Sequence, residues 1–204
     1  MITAHAVKEL RDRTGAGMMD CKKALVEADG NIDLAIENLR KAGIAKAQKK
    51  SGRSANDGVI THYIHPGSKL GVLLEVNCET DFVARTEKFQ SFAKDIAMHI
   101  AAANPIAVRR EDISTSVIAK EKEIFTEQAK QSGKPDHLID KISEGMLGKY
   151  YSENVLSEQT FVKDPDKTIK DIVTEAISSF GENITIARFV RFELGESSDP
   201  SAQE

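Results

Sequence analysis

The feature that most constrains this chain is a change of hydrophobic period at Gly58. The run GVITHYIHPGSKLGVLLEVNC is β-branched and apolar, and Pro66-Gly67-Ser68 interrupts it once. Proline presets φ and glycine accepts positive φ, so the triplet is turn chemistry. The run therefore reads as a hairpin with strands near 58–65 and 70–78. The pattern on either side is helical, which predicts an α+β fold.

Before the hairpin, three short helices are expected in a module spanning 1–44. Thr3 can cap the first, which carries Val7 and Leu10 and stops at Thr14 and Gly15. The second runs from Met18 to Ala28 with Cys21, Leu25 and Ala28 at helical spacing, and Gly30 closes it. Asn31 can cap the third, where Ile32, Ala35, Ile36 and Leu39 form one face and Gly43 sits at the C-cap position. Residues 45–57 carry Lys46, Lys49, Lys50 and Arg53 without an acid before Asp57, and read as a basic linker in which a short helix frays into a loop.

After the hairpin, Phe89, Phe92, Ala93, Ile96, Ala97 and Ile100 make an apolar helical stripe. Residues 111–150 hold two narrow stripes, split at Ser132-Gly133-Lys134-Pro135, and predict an antiparallel helical hairpin arm that is mildly acidic. A helix is expected from Asp166 to Phe180, with Gly181 as its stop. The last strand, 184–194, is apolar at both parities and predicts an interior position in the sheet. With the hairpin it should form a three-stranded antiparallel sheet with packed helices, in an α+β core of 58–110 and 151–196. Residues 197–204 read as a disordered tail.

Composition narrows the function. Formal net charge is −4 and the pI about 5.8, so the basic excess of a nucleic-acid binder is missing. Two distant cysteines, Cys21 and Cys78, offer no disulfide framework and fit a reducing, cytoplasmic setting. Neither a signal peptide nor a membrane span is legible.

Catalytic signatures are also missing. Gly133-Lys134 is followed by Pro, and Gln128 stands where a P-loop needs glycine. Gly15-Ala16-Gly17 lacks the βαβ setting of a dinucleotide fingerprint. His62 and His65 point to opposite faces of a strand, and His99 has no H-E-x-x-H partner. No G-x-S-x-G elbow occurs, and Glu79 and Asp81 would raise the thiol pKa of Cys78. No catalytic residue, metal site or cofactor is expected.

What stands out is Asn77-Cys78-Glu79-Thr80-Asp81-Phe82-Val83-Ala84-Arg85 at a strand-to-helix junction. Thr80 or Asp81 can cap the helix that follows. Two readings are open for Phe82: a ring dropped into the core, or an exposed aromatic anchor beside an acid, the composition of an interface hot spot.

LRDRTGAGMMDCKKAL (10–25) and EVNCETDFVAR (75–85) resemble the signature segments of the bacterial elongation factor Ts family. Similarity continues in order through DGVITHYIH, AKDIAMHIAAANP, QSGKPDHLIDKISEGML, QTFVKDP and GENITIARFVRFELGE. The chain resembles the short form of the family. Many members carry a second β-rich subdomain before the IAMH helix; here the Phe89–Ile100 helix serves both roles and one sheet replaces two.

The resemblance implies a guanine-nucleotide exchange factor for elongation factor Tu, a non-catalytic protein that binds no nucleotide itself and has no nucleic-acid or membrane partner. It implies that the N-terminal module is ubiquitin-associated-like and docks on the nucleotide-binding domain of the GTPase. Thr80, Asp81, Phe82 and Val83 match the element that dislodges the partner's Mg²⁺. Partner contacts are expected at Met18, Met19, Lys23, Arg85, His99 and Val162. Met18 and Met19 are adjacent, so one is expected to pack inward and the other to face out. Lys23 can equally be a solvated helix charge. A homodimer is expected for a short form, and the last strand holds no cysteine that could cross-link it. A competing class is an RNA-binding module using Lys46, Lys49, Lys50 and Arg53, and another is a purely structural helical adaptor.

Overall fold

The computed structural model describes residues 2–133 and 135–196. In chain order its elements are α1 (Ala4–Thr14), α2 (Met18–Glu27), α3 (Ile32–Lys50), β1 (Asp57–Ile64), β2 (Leu70–Cys78), α4 (Asp81–Ala84), α5 (Glu87–Ala103), α6 (Thr115–Gln131), α7 (Asp136–Asn154), β3 (Thr160–Phe161), β4 (Asp164–Thr168), α8 (Ile169–Phe180) and β5 (Thr185–Glu193). The fold is α+β. The chain forms two compact units, each discontinuous in sequence. One holds residues up to Val59, Val76–Phe89 and Asp171–Thr185; the other holds Ile60–Glu75, Gln90–Lys170 and residues from Ile186 onward.

The first unit begins with three helices, the first and third capped by side chains. Thr3 Oγ1 accepts the Ala6 N–H at 3.2 Å, and Asn31 Oδ1 accepts that of Leu34 at 3.1 Å. Gly15 takes φ 65° after α1 and donates its N–H to the Arg11 carbonyl at 2.7 Å, the left-handed stop that glycine adopts without steric cost. Val7, Leu10, Cys21, Ala24, Leu25, Ala28 and Ala35 form a shared core. Burial of Leu10 or Leu25 is worth roughly 1.5–3 kcal/mol each.

Gly43 does not end the third helix. Helix α3 continues through it to Lys50, so the first half of the expected 45–57 linker is helical. Gly43 is buried, and a Cβ there would lie 3.4 Å from Ser178 Oγ. That is ordinary contact distance, so Gly43 is a residue of the α3–α8 packing and not a turn. In the same unit the Phe89 and Phe180 rings meet edge-on at 5.6 Å.

The sheet has order β1-β2-β5. The Pro66-Gly67-Ser68 turn closes with His65 N–H on the Leu70 carbonyl at 2.9 Å. Leu194 N–H reaches the Lys69 carbonyl at 2.8 Å, and Arg188 Nε reaches Glu75 Oε2 at 2.8 Å, so β5 runs antiparallel to β2. The expectation that the last strand is interior is wrong: β2 is central and β5 lies at an edge. β2 buries Val72, Leu74, Val76 and Cys78, whereas Val190 and Phe192 of β5 are exposed. Apolar residues at both parities reflect an uncovered sheet face, not two covered ones.

The helix expected from Asp166 begins at Ile169, because the residues before it form a two-stranded hairpin. There Thr160 pairs with Thr168 and Phe161 with Asp164. Strand β3 has only two residues, and β4, DPDKT, has no apolar alternation to read. Helices α6 and α7 form the expected antiparallel pair. Phe125 meets Tyr150 at 6.2 Å between centroids, Thr126 Oγ1 lies 3.1 Å from Ser143 Oγ, and Ala129 and Ile139 are buried. Among the described residues no helix is long and apolar enough to cross a membrane. The expected tail at 197–204 lies outside the described residues.

Candidate functional site

Glu79 leaves β2, Thr80 occupies the N-cap position with φ −135° and ψ 154°, and Asp81–Ala84 make a single helical turn. Ala84 and Cys78 are buried and anchor the inner side of this turn. One turn has a single inward side, so Phe82 points out and is 81% exposed. The reading of Phe82 as a core residue is thereby excluded. Val83 is half-buried.

Thr80 does not cap. Its hydroxyl donates to Glu182 Oε1 at 2.6 Å, and Glu182 Oε2 accepts the backbone N–H groups of Glu79 and Thr80, each at 3.1 Å. Asp81 pairs with Arg85 at 2.8 Å across one turn, so its charge is matched inside the segment. The Thr86 hydroxyl accepts the Phe89 N–H at 3.2 Å and so caps the start of α5.

A second carboxylate faces the other way. Glu79 Oε1 accepts the Asn183 N–H at 2.6 Å, and Oε2 lies 3.4 Å from Arg53 Nη1. The Asn183 backbone N–H holds the Glu79 carboxyl below the usual carboxylate range, with Arg53 and Lys50 adding to it against the cost of burial. Asn183 is buried and donates its side-chain amide to the Arg53 carbonyl at 2.7 Å. In the sequence Gly181 reads as a helix stop, and nothing marks Glu182 and Asn183 as part of a site beyond their being two polar residues directly after that stop.

Of the expected contact residues in this unit, Met18 is 46% and Met19 75% exposed, so neither packs inward as the adjacency argument required. Helix α2 fills its core with Cys21, Ala24 and Leu25, one turn further on. Lys23 is exposed and lies 3.8 Å from Glu27, a weak helix-surface pair. Of the basic linker residues, Lys46 bonds Asp20 at 2.8 Å, Lys50 bonds the Gly181 carbonyl and Arg53 bonds Glu79.

His99 and Val162 belong to the other unit. His99 is fully buried. Its Nε2 lies 3.0 Å from Gln159 Oε1, and its Nδ1 accepts the Val162 N–H at 3.3 Å. Gln159 spends its amide hydrogens on the Ala103 and Glu153 carbonyls, at 3.2 and 2.6 Å. Its oxygen therefore faces His99, which fixes the neutral Nε2–H tautomer. Burial pushes the His99 pKa down, and the Gln159 bond opposes this. Val162 is exposed on the β3–β4 turn.

Chemistry of its own is poorly provided for. Cys21 and Cys78 are free and buried, and burial raises both thiol pKa values, which suits packing better than nucleophilic attack. Among the described residues no three His, Cys, Asp or Glu side chains converge on a metal position. The arrangement offers a stiff turn carrying an exposed ring and a matched carboxylate, a surface for binding.

A family model described as Elongation factor TS matches residues 20–196. The chain is 56% identical over 204 residues to Elongation factor Ts of Thermoanaerobacter sp. (strain X514), with 100% of each chain covered. It is 59% identical over 196 residues to Elongation factor Ts of Caldanaerobacter subterraneus subsp. tengcongensis, covering 96% of this chain and 98% of the relative. It is 60% identical over 196 residues to Elongation factor Ts of Carboxydothermus hydrogenoformans, covering 96% and 90%.

Proposed function

The chain belongs to the elongation factor Ts family, the guanine-nucleotide exchange factors of elongation factor Tu in translation elongation, and we propose that it drives exchange by inserting the Thr80–Val83 turn against the elements that hold the partner's Mg²⁺. The observation that carries this reading is an aromatic ring left 81% exposed on a turn whose backbone is bonded from outside. The test is stopped-flow release of labelled GDP from elongation factor Tu. The folded Phe82→Ala protein should lose most of the stimulation; undiminished release would end the wedge reading.

The mechanism needs no bond chemistry. A GTPase holds GDP through phosphate contacts and a bridging Mg²⁺. A protein that binds the nucleotide-free state more tightly weakens GDP by the factor by which GDP weakens it. Burial of the Phe82 ring is worth roughly 1.5–3 kcal/mol, on the order of 10- to 150-fold. Further contacts must supply the rest. Asp81, matched by Arg85, orients the turn rather than ligating the metal. Met18 and Met19 offer an apolar patch on the N-terminal module, with Lys23 beside it. In this reading that module is ubiquitin-associated-like and seats the factor on the nucleotide-binding domain, and Val162 makes a second contact with His99 as its support.

The same reading makes the protein a cytoplasmic, non-catalytic factor with no bound nucleotide and no nucleic-acid partner. Three of the four basic residues at 46–53 already have partners within the fold, which disfavours RNA binding. A homodimer is supported by the uncovered sheet face, where Ile60, Ile64, Leu73, Val190, Phe192 and Leu194 are all exposed.

A further inference from the structure

We infer that Glu182, on the turn after α8, is the positioning residue of the exchange segment: its carboxylate fixes the backbone at Glu79 and Thr80 and thereby the direction in which Phe82 is presented. The inference rests on the proposed wedge role of Phe82. A four-residue helix cannot hold itself, because one turn orders several residues for one or two hydrogen bonds. The usual local remedy is also missing, since the Thr80 hydroxyl is turned away from the N–H groups it would cap. The turn is held from a segment about a hundred residues away in sequence.

The clamp is reciprocal. Glu182 takes the N–H groups of Glu79 and Thr80, while Glu79 takes the N–H of Asn183. Each chain segment thus lends a carboxylate to the backbone of the other. The turn bearing Glu182 is itself fixed. Gly181 ends α8 at φ 75°, with its N–H on the Ile177 carbonyl at 3.0 Å, and Lys50 holds the Gly181 carbonyl. Asn183 ties the next position to Arg53. Glu182 faces inward onto three donors and has little left for a partner, so its effect on exchange passes through Phe82. A ring held in one direction before contact loses less freedom on binding, and delivers its contact where the metal-holding elements are.

The experiment compares Glu182→Ala and Glu182→Gln in the full chain. Glutamine keeps the clamp: its carbonyl accepts the two N–H groups, and the Thr80 hydroxyl rotates to accept from the amide. Glu182→Ala should lower the maximal rate of GDP release from elongation factor Tu by about tenfold, with the half-saturating concentration changed less than about threefold, because docking surfaces are intact. Glu182→Gln should recover the rate to within about threefold. The chain contains no tryptophan, so Phe82→Trp places a lone reporter at an exposed site. In the free protein, anisotropy decay of that indole should gain a large fast component with Glu182→Ala and none with Glu182→Gln.

Wild-type maximal rate and unchanged anisotropy in a folded Glu182→Ala protein would overturn the inference. So would a glutamine variant as deficient as the alanine one, which would assign the effect to charge. Glu182→Asp, which withdraws the oxygens by one methylene and keeps the charge, supplies the same comparison if the alanine protein does not fold. If Phe82→Ala itself releases GDP at the full rate, the wedge reading fails, and the anisotropy arm still decides whether Glu182 holds the turn.

Discussion

The buried ring of His99 accepts the backbone N–H of Val162 through Nδ1 at 3.3 Å. An exposed residue on a short hairpin is thereby tied to a buried histidine whose tautomer is set by Gln159. Protonation of Nδ1 would turn an acceptor into a donor facing another donor, so the contact exists only with the neutral ring.

That relationship has a signed pH consequence. Burial lowers the folded His99 pKa below its ordinary 6.5, so below that value the unfolded chain binds more protons than the native one. The contribution to stability is complete above the ordinary value and is lost as pH falls through the lowered one. Denaturant midpoints should fall on mild acidification from neutral pH. His99→Gln, which does not titrate there, should show a shallower decline over the same interval.

Met19 is open to solvent on the surface of α2. Met19→Asp should leave the melting temperature nearly unchanged and weaken the complex with nucleotide-free elongation factor Tu by about tenfold or more, since a charge would be carried into an apolar contact. Isothermal titration calorimetry checks this, and an unaltered affinity would remove Met19 from the interface.

Phe192, on the edge strand β5, is 65% exposed, and Leu194, directly after that strand, is 75% exposed. Phe192→Asp should convert a dimer to a monomer in sedimentation equilibrium without lowering helix content. A wild-type protein already monomeric at tens of micromolar, about −6 kcal/mol of association or weaker, would dismiss the sheet face as a dimer surface.

Leu25 is fully buried at the centre of the three-helix core. Leu25→Ala should cost about 2–5 kcal/mol, the transfer term plus a cavity. Differential scanning calorimetry should show the loss, while Val26→Ala, at an exposed position on the same helix, should change little.

Local physics made much of the molecule legible in sequence. Thr3 and Asn31 cap helices as short polar side chains do, Gly15 takes the left-handed stop, and Pro66-Gly67-Ser68 closes a hairpin. Each of these is decided by residues close together in the chain, His65 and Leu70 of the hairpin being the furthest apart. The segment around Phe82 was also legible, because an aromatic beside an acid at a strand-to-helix junction is unusual chemistry wherever the chain goes. Tertiary packing decided the rest. Gly43 reads as a stop until Ser178 lies against it, the burial of His99 and its bond to Gln159 have no sign in the sequence around it, and β5 reads as interior until it is found to pair with β2 at the edge of the sheet. Above all, nothing near Thr80 in sequence announces that Glu182 will take its hydroxyl and its N–H. A periodic pattern records which residues avoid water. The partner that a buried donor meets depends on which distant segment folding brings beside it.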